Sequence, residues 1–162
     1  MISERLVISQ QLVRDKYDPH FSWLELGPAG WTEFKKPLAE SVIALISSCG
    51  FYRVDVHKAV DAWNNLGDPS FREIHIDTPA DRLAVAHSHY SHCHIDEDRQ
   101  VALPIEHFKQ FEAEGFIGKL YPWVYSFNGY FPEPQQFTQE ACETIGSRLQ
   151  ADRVDGVLLT PC

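Results

Sequence analysis

Length, composition and charge restrict what kind of protein this chain is. Its 162 residues are enough for one domain with a hydrophobic core, and 44% hydrophobic with 23% charged residues is ordinary for a globular protein. The formal net charge of −9 argues against binding to nucleic acid or to anionic lipid, because both need clustered Lys and Arg. No apolar run approaches the roughly 20 residues of a membrane span. Since the N-terminus also lacks the features of a signal peptide, we expect a cytoplasmic protein with neither a nucleic-acid nor a membrane partner.

The hydrophobic pattern predicts helices alternating with strands. The predicted helices are residues 2–14, 104–115 and about 135–150, and the predicted strands are residues 41–48, 70–76, 82–89, 116–127 and 154–160. This alternation favours an α/β fold, a single domain with a mostly parallel sheet flanked by helices. We assign residues 1–39 to an irregular N-terminal helix and arm, and residues 40–162 to the α/β domain.

The cysteines are predicted to be free thiols. The chain has four cysteines, at positions 49, 93, 142 and 162, with no CxxC spacing and no context of a small secreted protein. Cys142 falls on the apolar face of the last predicted helix, with Phe137, Ala141, Ile145 and Leu149, and is expected to be core. Cys49 ends the first strand, where it is either part of a site or a small buried hydrophobe.

Histidines are concentrated in HSHYSHCHIDED, residues 87–98. His87 and His89 are expected on one side of a strand, because side chains alternate with a period of two, and His92 and His94 repeat that spacing. These four imidazoles are candidate ligands for a transition metal such as zinc or iron. Two alternatives stay open: polar catalytic or substrate contacts without a metal, and a strand end whose histidines face water. No nucleotide cofactor is evident.

Other candidate site residues lie where predicted strands end. Tyr125, Ser126 and Asn128 precede Gly129, where a backbone kink and nearby polar donors would line a pocket. Cys162 lies at the carboxyl end of what should be a central strand, the edge at which open α/β sheets form their sites.

Five phrases between residues 68 and 161 carry a family resemblance: DPSFR (68–72), HSHY (87–90), EGFIG (114–118), YSFNGYFPEP (125–134) and VDGVLLTP (154–161). With these phrases, residues 40–162 resemble the B-component (selenoprotein B) family of the glycine, sarcosine, betaine and D-proline reductases. The resemblance implies an oxidoreductase that cleaves a carbon–nitrogen bond reductively, with a selenocysteine or cysteine nucleophile. It puts that nucleophile just after residue 162. The sequence is therefore expected to stop at an in-frame UGA codon, to use Cys162 as its thiol, or to have lost the ancestral chemistry.

The resulting functional hypothesis is a reductase of this type, or a divergent descendant, that acts on a small amine or amino acid. We assign catalysis to Cys162, Cys49, His87 and Tyr125, substrate contacts to His89, Tyr90, Ser126 and Asn128, and metal ligation to His87, His89, His92 and His94. The resemblance implies a pyruvoyl-type or thiol-reductase partner subunit. The uncovered final strand predicts a homo-oligomer or a tight complex with a partner, since parallel sheets are covered on both faces. The alternatives are a metal-dependent enzyme built on the histidines and a non-catalytic subunit that binds a partner.

Overall fold

The computed structural model describes residues 4–23, 32–88, 90–132 and 134–161. The chain divides into two compact units, Met1–Glu33 and Phe34–Cys162. The domain boundary that the sequence predicts at residue 39 stays a prediction. None of the helices in the described part of the chain is both long enough and apolar enough to cross a membrane.

The first unit contains helix α1, Glu4–Lys16, which confirms the predicted N-terminal helix. After the helix the chain folds back onto it: the Arg14 side chain donates to the Phe21 carbonyl at 2.5 Å. The Trp23 indole likewise donates to the Leu6 carbonyl, at 3.0 Å. Of the irregular arm predicted within residues 1–39, residues 24–31 lie outside the described part of the chain.

The second unit is built on a five-stranded, mostly parallel sheet, which confirms the predicted α/β fold. The strands of this unit are β1 (Val42–Ser47), β2 (Phe51–Arg53), β3 (Arg72–His75), β4 (Leu83–Val85), β5 (Lys119–Leu120), β6 (Trp123–Ser126) and β7 (Gly156–Thr160). Its helices are α2 (Cys93–Glu97), α3 (Ile105–Ala113), α4 (Pro134–Phe137) and α5 (Glu143–Ala151), with a π-helical turn, Thr138–Cys142, joining the last two. Short 3₁₀ helices cover Leu38–Glu40, Ala80–Arg82 and Arg99–Val101.

Strand β1 lies at the centre of the sheet. It pairs in parallel with β7 on one side and with β5 and β6 on the other, and β3 adds an antiparallel strand beyond β6. Its sequence, VIALIS, is nearly all apolar and rich in β-branched residues, as a strand covered on both faces requires. Strands β2 and β4 form a separate antiparallel pair.

The two faces of the sheet carry two hydrophobic clusters. One cluster contains Ile43, Leu45 and Cys49 of the β1 segment and is covered by Ile105 of α3 with its partly buried neighbours Phe108 and Phe111. The other contains Ala44 and Ile46 and is covered by four residues of the α4–α5 segment: Phe137, Ala141, Ile145 and Leu149. The alternation along β1 follows from the period of two in a strand.

The structure corrects several expectations. The predicted strand 82–89 ends at Val85, so His87 lies beyond it. The predicted central strand β7 pairs with β1 and with no other strand among the described residues. Cys142 is exposed, not core, because it falls in the π-helical turn. Cys93 and Cys142 are free as predicted, whereas Cys49 is disulfide-bonded.

The predicted homo-oligomer stays a prediction. Three apolar side chains of β7, Val157, Leu158 and Leu159, are exposed within the described unit. Exposed apolar side chains on an edge strand are consistent with contact to further protein, but they do not identify what covers them.

Candidate functional site at the ends of the parallel strands

The candidate site forms where three parallel strands end together. Ser47 at the end of β1 is paired with Ser126 of β6 on one side and with Thr160 of β7 on the other. Cys49 follows β1 and Asn128 follows β6, and the two form an isolated antiparallel bridge. The carboxyl ends of parallel strands are the edge at which open α/β sheets bind ligands, so these residues occupy the expected place.

A sharp turn at Gly50 brings a second part of the chain to this edge. Gly50 has φ of 70°, its N–H donates to the Phe127 carbonyl at 2.9 Å, and its carbonyl accepts from Ala86 N–H at 2.9 Å. A Cβ at position 50 would lie 2.3 Å from the Ala86 carbonyl oxygen. Only glycine fits this turn. The turn holds Ala86, the residue before His87, against the end of β1.

Cys49 is fully buried at this edge, with 0% exposure. Its N–H donates to Ser47 Oγ at 3.3 Å, and its carbonyl accepts from the Tyr90 hydroxyl at 3.4 Å. The sequence placed Cys49 and Tyr90 in one site from separate motifs, and the structure brings them together.

A group of three rings adjoins Cys49. The Tyr90 ring lies 4.5 Å from the His87 ring and 4.7 Å from the His92 ring, measured between centroids. His92 Nε2 is buried and has no hydrogen-bond partner among the described residues. Burial, and secondarily the negative charge of Asp96, raises the pKa of Tyr90 to about 12. Its hydroxyl therefore stays protonated and remains a hydrogen-bond donor at neutral pH.

We expect Tyr90 to be the source of an alkaline transition near pH 12. An unfolded tyrosine ionises near pH 10. Because the pKa of Tyr90 is higher in the folded protein, at about 12, its protonated form favours folding. That contribution is complete below about pH 10 and is lost as the pH rises toward about 12. The ultraviolet difference spectrum between wild type and Tyr90→Phe should show one tyrosine that titrates near pH 12 in the folded protein. In urea, where the protein is unfolded, the same difference should titrate near pH 10. A folded-state difference that titrates near pH 10 would contradict the burial argument.

Tyr125 and Ser126 do not share this environment. Tyr125 is fully buried in the cluster on the opposite face of the sheet, in edge-to-face contact with Phe71 at 5.9 Å. Ser126 is buried on the Cys49 side, where its Oγ accepts from Phe51 N–H at 2.8 Å. Neighbouring residues in a strand face opposite ways, so these two cannot line one pocket.

Replacing Ser126 with Ala is expected to lower the free energy of unfolding by about 1–3 kcal/mol, because the buried Phe51 N–H loses its acceptor. Urea denaturation measures the change. Ser147→Ala on the exposed face of α5 is the matched control and should change stability by less than about 0.5 kcal/mol. If Ser126→Ala is as stable as the control, the hydroxyl is not the structural acceptor of the turn.

The histidines do not form a complete metal site among the described residues. His87 and His92 flank Tyr90, whereas His94 is exposed on α2. No group of three His, Cys, Asp or Glu side chains suited to a metal ion occurs in the part of the chain that the structure describes. His89 lies outside that part, so the predicted four-histidine metal site stays a prediction.

Elemental analysis tests the metal hypothesis. The metal hypothesis predicts about one equivalent of zinc or iron in the purified protein. Joint replacement of His87 and His89 by Ala should remove the metal, because a site with only two ligands left binds it weakly. His107→Ala, an exposed histidine on α3, should keep the metal. Equal metal content in the double variant and in wild type would remove the histidines from consideration as ligands.

An apolar cavity of about 270 Å³ lies away from this site, between α3 and β7. Its walls include Phe108, Phe111, Val157 and Leu158. Since its lining is almost entirely apolar, it does not suit a small charged substrate.

Sequence reasoning singled out Gly129 but missed Ser48 and Gly50, which also shape the site. The Ser48 N–H donates to the Thr160 carbonyl at 3.0 Å, which extends the β1–β7 pairing past Ser47. A Cβ at Gly129 would lie 3.2 Å from Ser48 Cβ, so β6 exits the sheet close against Ser48. The signal in the sequence was a glycine just after polar residues at two strand ends, Cys49-Gly50 and Asn128-Gly129.

Comparison with known proteins assigns the family. The sequence profile of glycine/sarcosine/betaine reductase selenoprotein B (GRDB) matches residues 32–162. The chain belongs to the glycine/sarcosine/betaine reductase selenoprotein B family. The matched region contains the whole candidate site, and the resemblance noted from its motifs is confirmed.

Two curated proteins show similarity over most of the chain. One is the D-proline reductase subunit gamma of Acetoanaerobium sticklandii, 32% identical over 133 residues that make up 82% of this chain and 53% of that protein. The other is the glycine reductase complex component B subunit gamma of Carboxydothermus hydrogenoformans, 28% identical over 131 residues, 77% of this chain and 29% of that protein. The chain therefore spans about half the length of one relative and under a third of the other. No solved structure matches the chain.

Proposed function

We propose that this selenoprotein B family chain contributes part of the active site of a reductase that cleaves the carbon–nitrogen bond of a small amino acid or amine. The observation that carries the proposal is the meeting of Cys49, Tyr90 and Asn128 at the carboxyl ends of the parallel strands, inside the region that matches the family. A sulfur, a neutral phenol and an amide at one sheet edge are suited to binding a small polar molecule beside a redox-active group.

The substrate class follows from the compounds named in the family and in the relatives: glycine, sarcosine, betaine and D-proline. All four carry a carboxylate on the carbon that is bonded to nitrogen. The Tyr90 hydroxyl is a neutral donor that would exchange its 3.4 Å hydrogen bond to the Cys49 carbonyl for one to such a carboxylate. Asn128 Oδ1 accepts from Tyr130 N–H at 3.3 Å, which orients the amide and leaves Nδ2 as its donor group.

Protein partners belong to the proposal as well. Both relatives are named as subunits, one of D-proline reductase and one of a glycine reductase complex. We infer that this chain also works within a multisubunit reductase, with a pyruvoyl-type subunit to activate the substrate amine and a dithiol system to supply electrons.

Residue-level binding is the first test. Titrating the ¹⁵N-labelled chain with each of the four compounds should shift the amide signals of Cys49, Tyr90 and Asn128. The amides of Phe137 and Leu149, on the opposite face of the sheet, should stay in place. Asn128→Asp puts a negative charge beside the bound carboxylate and should weaken binding about tenfold or more. Asn65→Asp makes the same charge change at an exposed position and is the control; circular dichroism confirms that both variants fold.

Activity in the natural complex is the second test. The complex that contains this chain should consume one of the four compounds in a reaction that depends on added dithiol. Shifts at the site without turnover would favour a non-catalytic binding subunit. Turnover that depends on metal and not on dithiol would favour the metal-dependent enzyme. No amide shifts and no turnover with any of the four compounds would reject the proposal.

A further inference from the structure

The disulfide-bonded state of Cys49 needs a second sulfur. Cys93 and Cys142 are both free and exposed, and the sequence contains four cysteines. We propose that Cys49 and Cys162 form a redox pair that stores the two electrons used for substrate cleavage. This inference rests on the proposed function and adds to it a second sulfur and the place where the electrons are held.

The pairing of β1 with β7 carries the inference, since Cys162 itself lies outside the described residues. The two strands run parallel and in register from Ile43–Gly156 to Ser47–Thr160. Cys49 comes two residues after Ser47, and Cys162 comes two residues after Thr160. Neighbouring strands lie about 4.8 Å apart. Residues at equal offsets are therefore expected within the Cα separation of about 4.4–6.8 Å that a disulfide requires.

The strands also favour a common face for the two sulfurs. In a parallel pair, side chains at matched positions point to the same side of the sheet. Cys49 belongs to the cluster that contains Leu45 and Leu103. The Thr160 hydroxyl donates to the Ala102 carbonyl, next to Leu103, at 2.7 Å. Thr160 therefore faces the Cys49 side, and a residue two positions further on in an extended chain faces the same way.

The surroundings of Cys49 make the pair asymmetric. Cys49 has 0% exposure and lies beneath Tyr90, whose hydroxyl donates to its carbonyl. A dithiol reductant must approach a sulfur from solvent, so it attacks the Cys162 sulfur and leaves Cys49 as the departing thiolate. In the proposed pair Cys162 then meets the reagents, and Cys49 is the resolving thiol.

Electrons and atoms balance in this scheme. When the two thiols join, an S–S bond forms, and the pair gives up two electrons and two protons. Reductive cleavage of one carbon–nitrogen bond takes up two electrons and two protons, because carbon and nitrogen each gain a hydrogen. A small dithiol then breaks the S–S bond by thiol–disulfide exchange, becomes a cyclic disulfide and restores both thiols.

Thiol counting tests the pair without reference to any substrate. The chain is equilibrated in oxidised and in reduced dithiothreitol, denatured in iodoacetamide and weighed by mass spectrometry. The oxidised sample should take up two labels and the reduced sample four, because Cys93 and Cys142 are free and the sequence has four cysteines. Peptide mapping should join Cys49 to Cys162. A Cys93→Ser/Cys142→Ser double variant should keep this reversible disulfide, and Cys162→Ser should lose it. Four labels in both samples, or a map that joins any other two cysteines, would overturn the proposal.

Turnover in the natural complex separates this inference from the proposed function. Without added dithiol, one substrate turnover should convert the pair to the disulfide, and Cys49→Ser should slow dithiol-dependent turnover by about tenfold or more. Cys93→Ser is the control and should turn over at the wild-type rate. If the complex cleaves substrate and Cys49→Ser keeps the full rate, the inference fails and the proposed function stands. If the disulfide forms and no substrate is cleaved, the proposed function fails and the sulfur pair stands.

Discussion

Replacing Gly50 with Ala is expected to lower the free energy of unfolding by roughly 2–5 kcal/mol. Two effects add. A residue with a Cβ at φ of 70° is strained, and the new Cβ would lie 2.3 Å from the Ala86 carbonyl oxygen. Neither can relax by moving a flexible side chain, because the contact is with the backbone of Ala86, whose N–H donates to the Gly50 carbonyl. Since a domain of this size is stable by only about 5–15 kcal/mol, the variant should lose a substantial share of its stability.

Two other glycines separate the two effects. Gly115 has φ of 72°, and a Cβ added there would meet nothing within 4 Å, so Gly115→Ala isolates the cost of the left-handed conformation, about 1–2 kcal/mol. Gly146 lies within α5 with open space around it, and Gly146→Ala should stabilise the helix by about 0.5–1 kcal/mol. Urea denaturation should therefore show the largest loss of unfolding free energy for Gly50→Ala and a smaller loss for Gly115→Ala. Gly146→Ala should show a gain. Equal losses at Gly50 and Gly115 would show that the Ala86 contact relaxes freely.

The second large effect is expected at Leu45, which is 1% exposed at the centre of β1. Leu45→Ala removes a buried side chain from the cluster beneath α3 and should lower the free energy of unfolding by about 2.7–5 kcal/mol. Leu159 on β7 is 66% exposed and serves as the matched control, because it loses the same atoms with little burial. Leu159→Ala should change stability by less than about 1 kcal/mol, measured by the same urea denaturation. A similar loss in both variants would mean that β7 is covered in solution.

The elements that could be predicted are those with a strong local signal. The apolar run VIALIS identified β1, and the Pro104 and Gly115 boundaries identified α3 within about two residues. The strand over residues 82–89 was too long by several residues because β4 exists through pairing with β2, a tertiary contact that has no local signal. Directly after β4, the Ala86 N–H donates a hydrogen bond to the Gly50 carbonyl. The sequence of the His-rich segment gives no sign of this hydrogen bond.

The candidate site was predictable in part for a similar reason. Cys49 and Asn128 were selected because each stands where a predicted strand ends, and parallel strands bring such ends together. Tyr90 was selected as part of the HSHY phrase that carries the family resemblance. Tyr125 was grouped with its neighbours by sequence adjacency, yet alternation along β6 turns it to the opposite face. The disulfide-bonded state of Cys49 was missed because pairing of distant cysteines depends on strand register, which the sequence alone does not provide.

The π-helical turn between α4 and α5 explains why Cys142 was assigned to the core. Phe137, Ala141, Ile145 and Leu149 are all buried and are spaced four residues apart. A regular α-helix with about 3.6 residues per turn would rotate such a series steadily away from the sheet. The wider turn at Thr138–Cys142 absorbs the excess, which keeps these four residues on the sheet and turns Cys142 to solvent.

The π-helical turn also determines where one residue can be deleted without disrupting the fold. A π turn holds one residue more than the helix around it needs. Deleting Gln139 would bring Phe137 and Ala141 to a spacing of three, and the resulting series of three, four and four is what an ordinary α-helix places on one face. The same deletion within α5 would rotate Leu149 away from the sheet. A one-residue gap is therefore tolerated at the π turn and disruptive a few residues later.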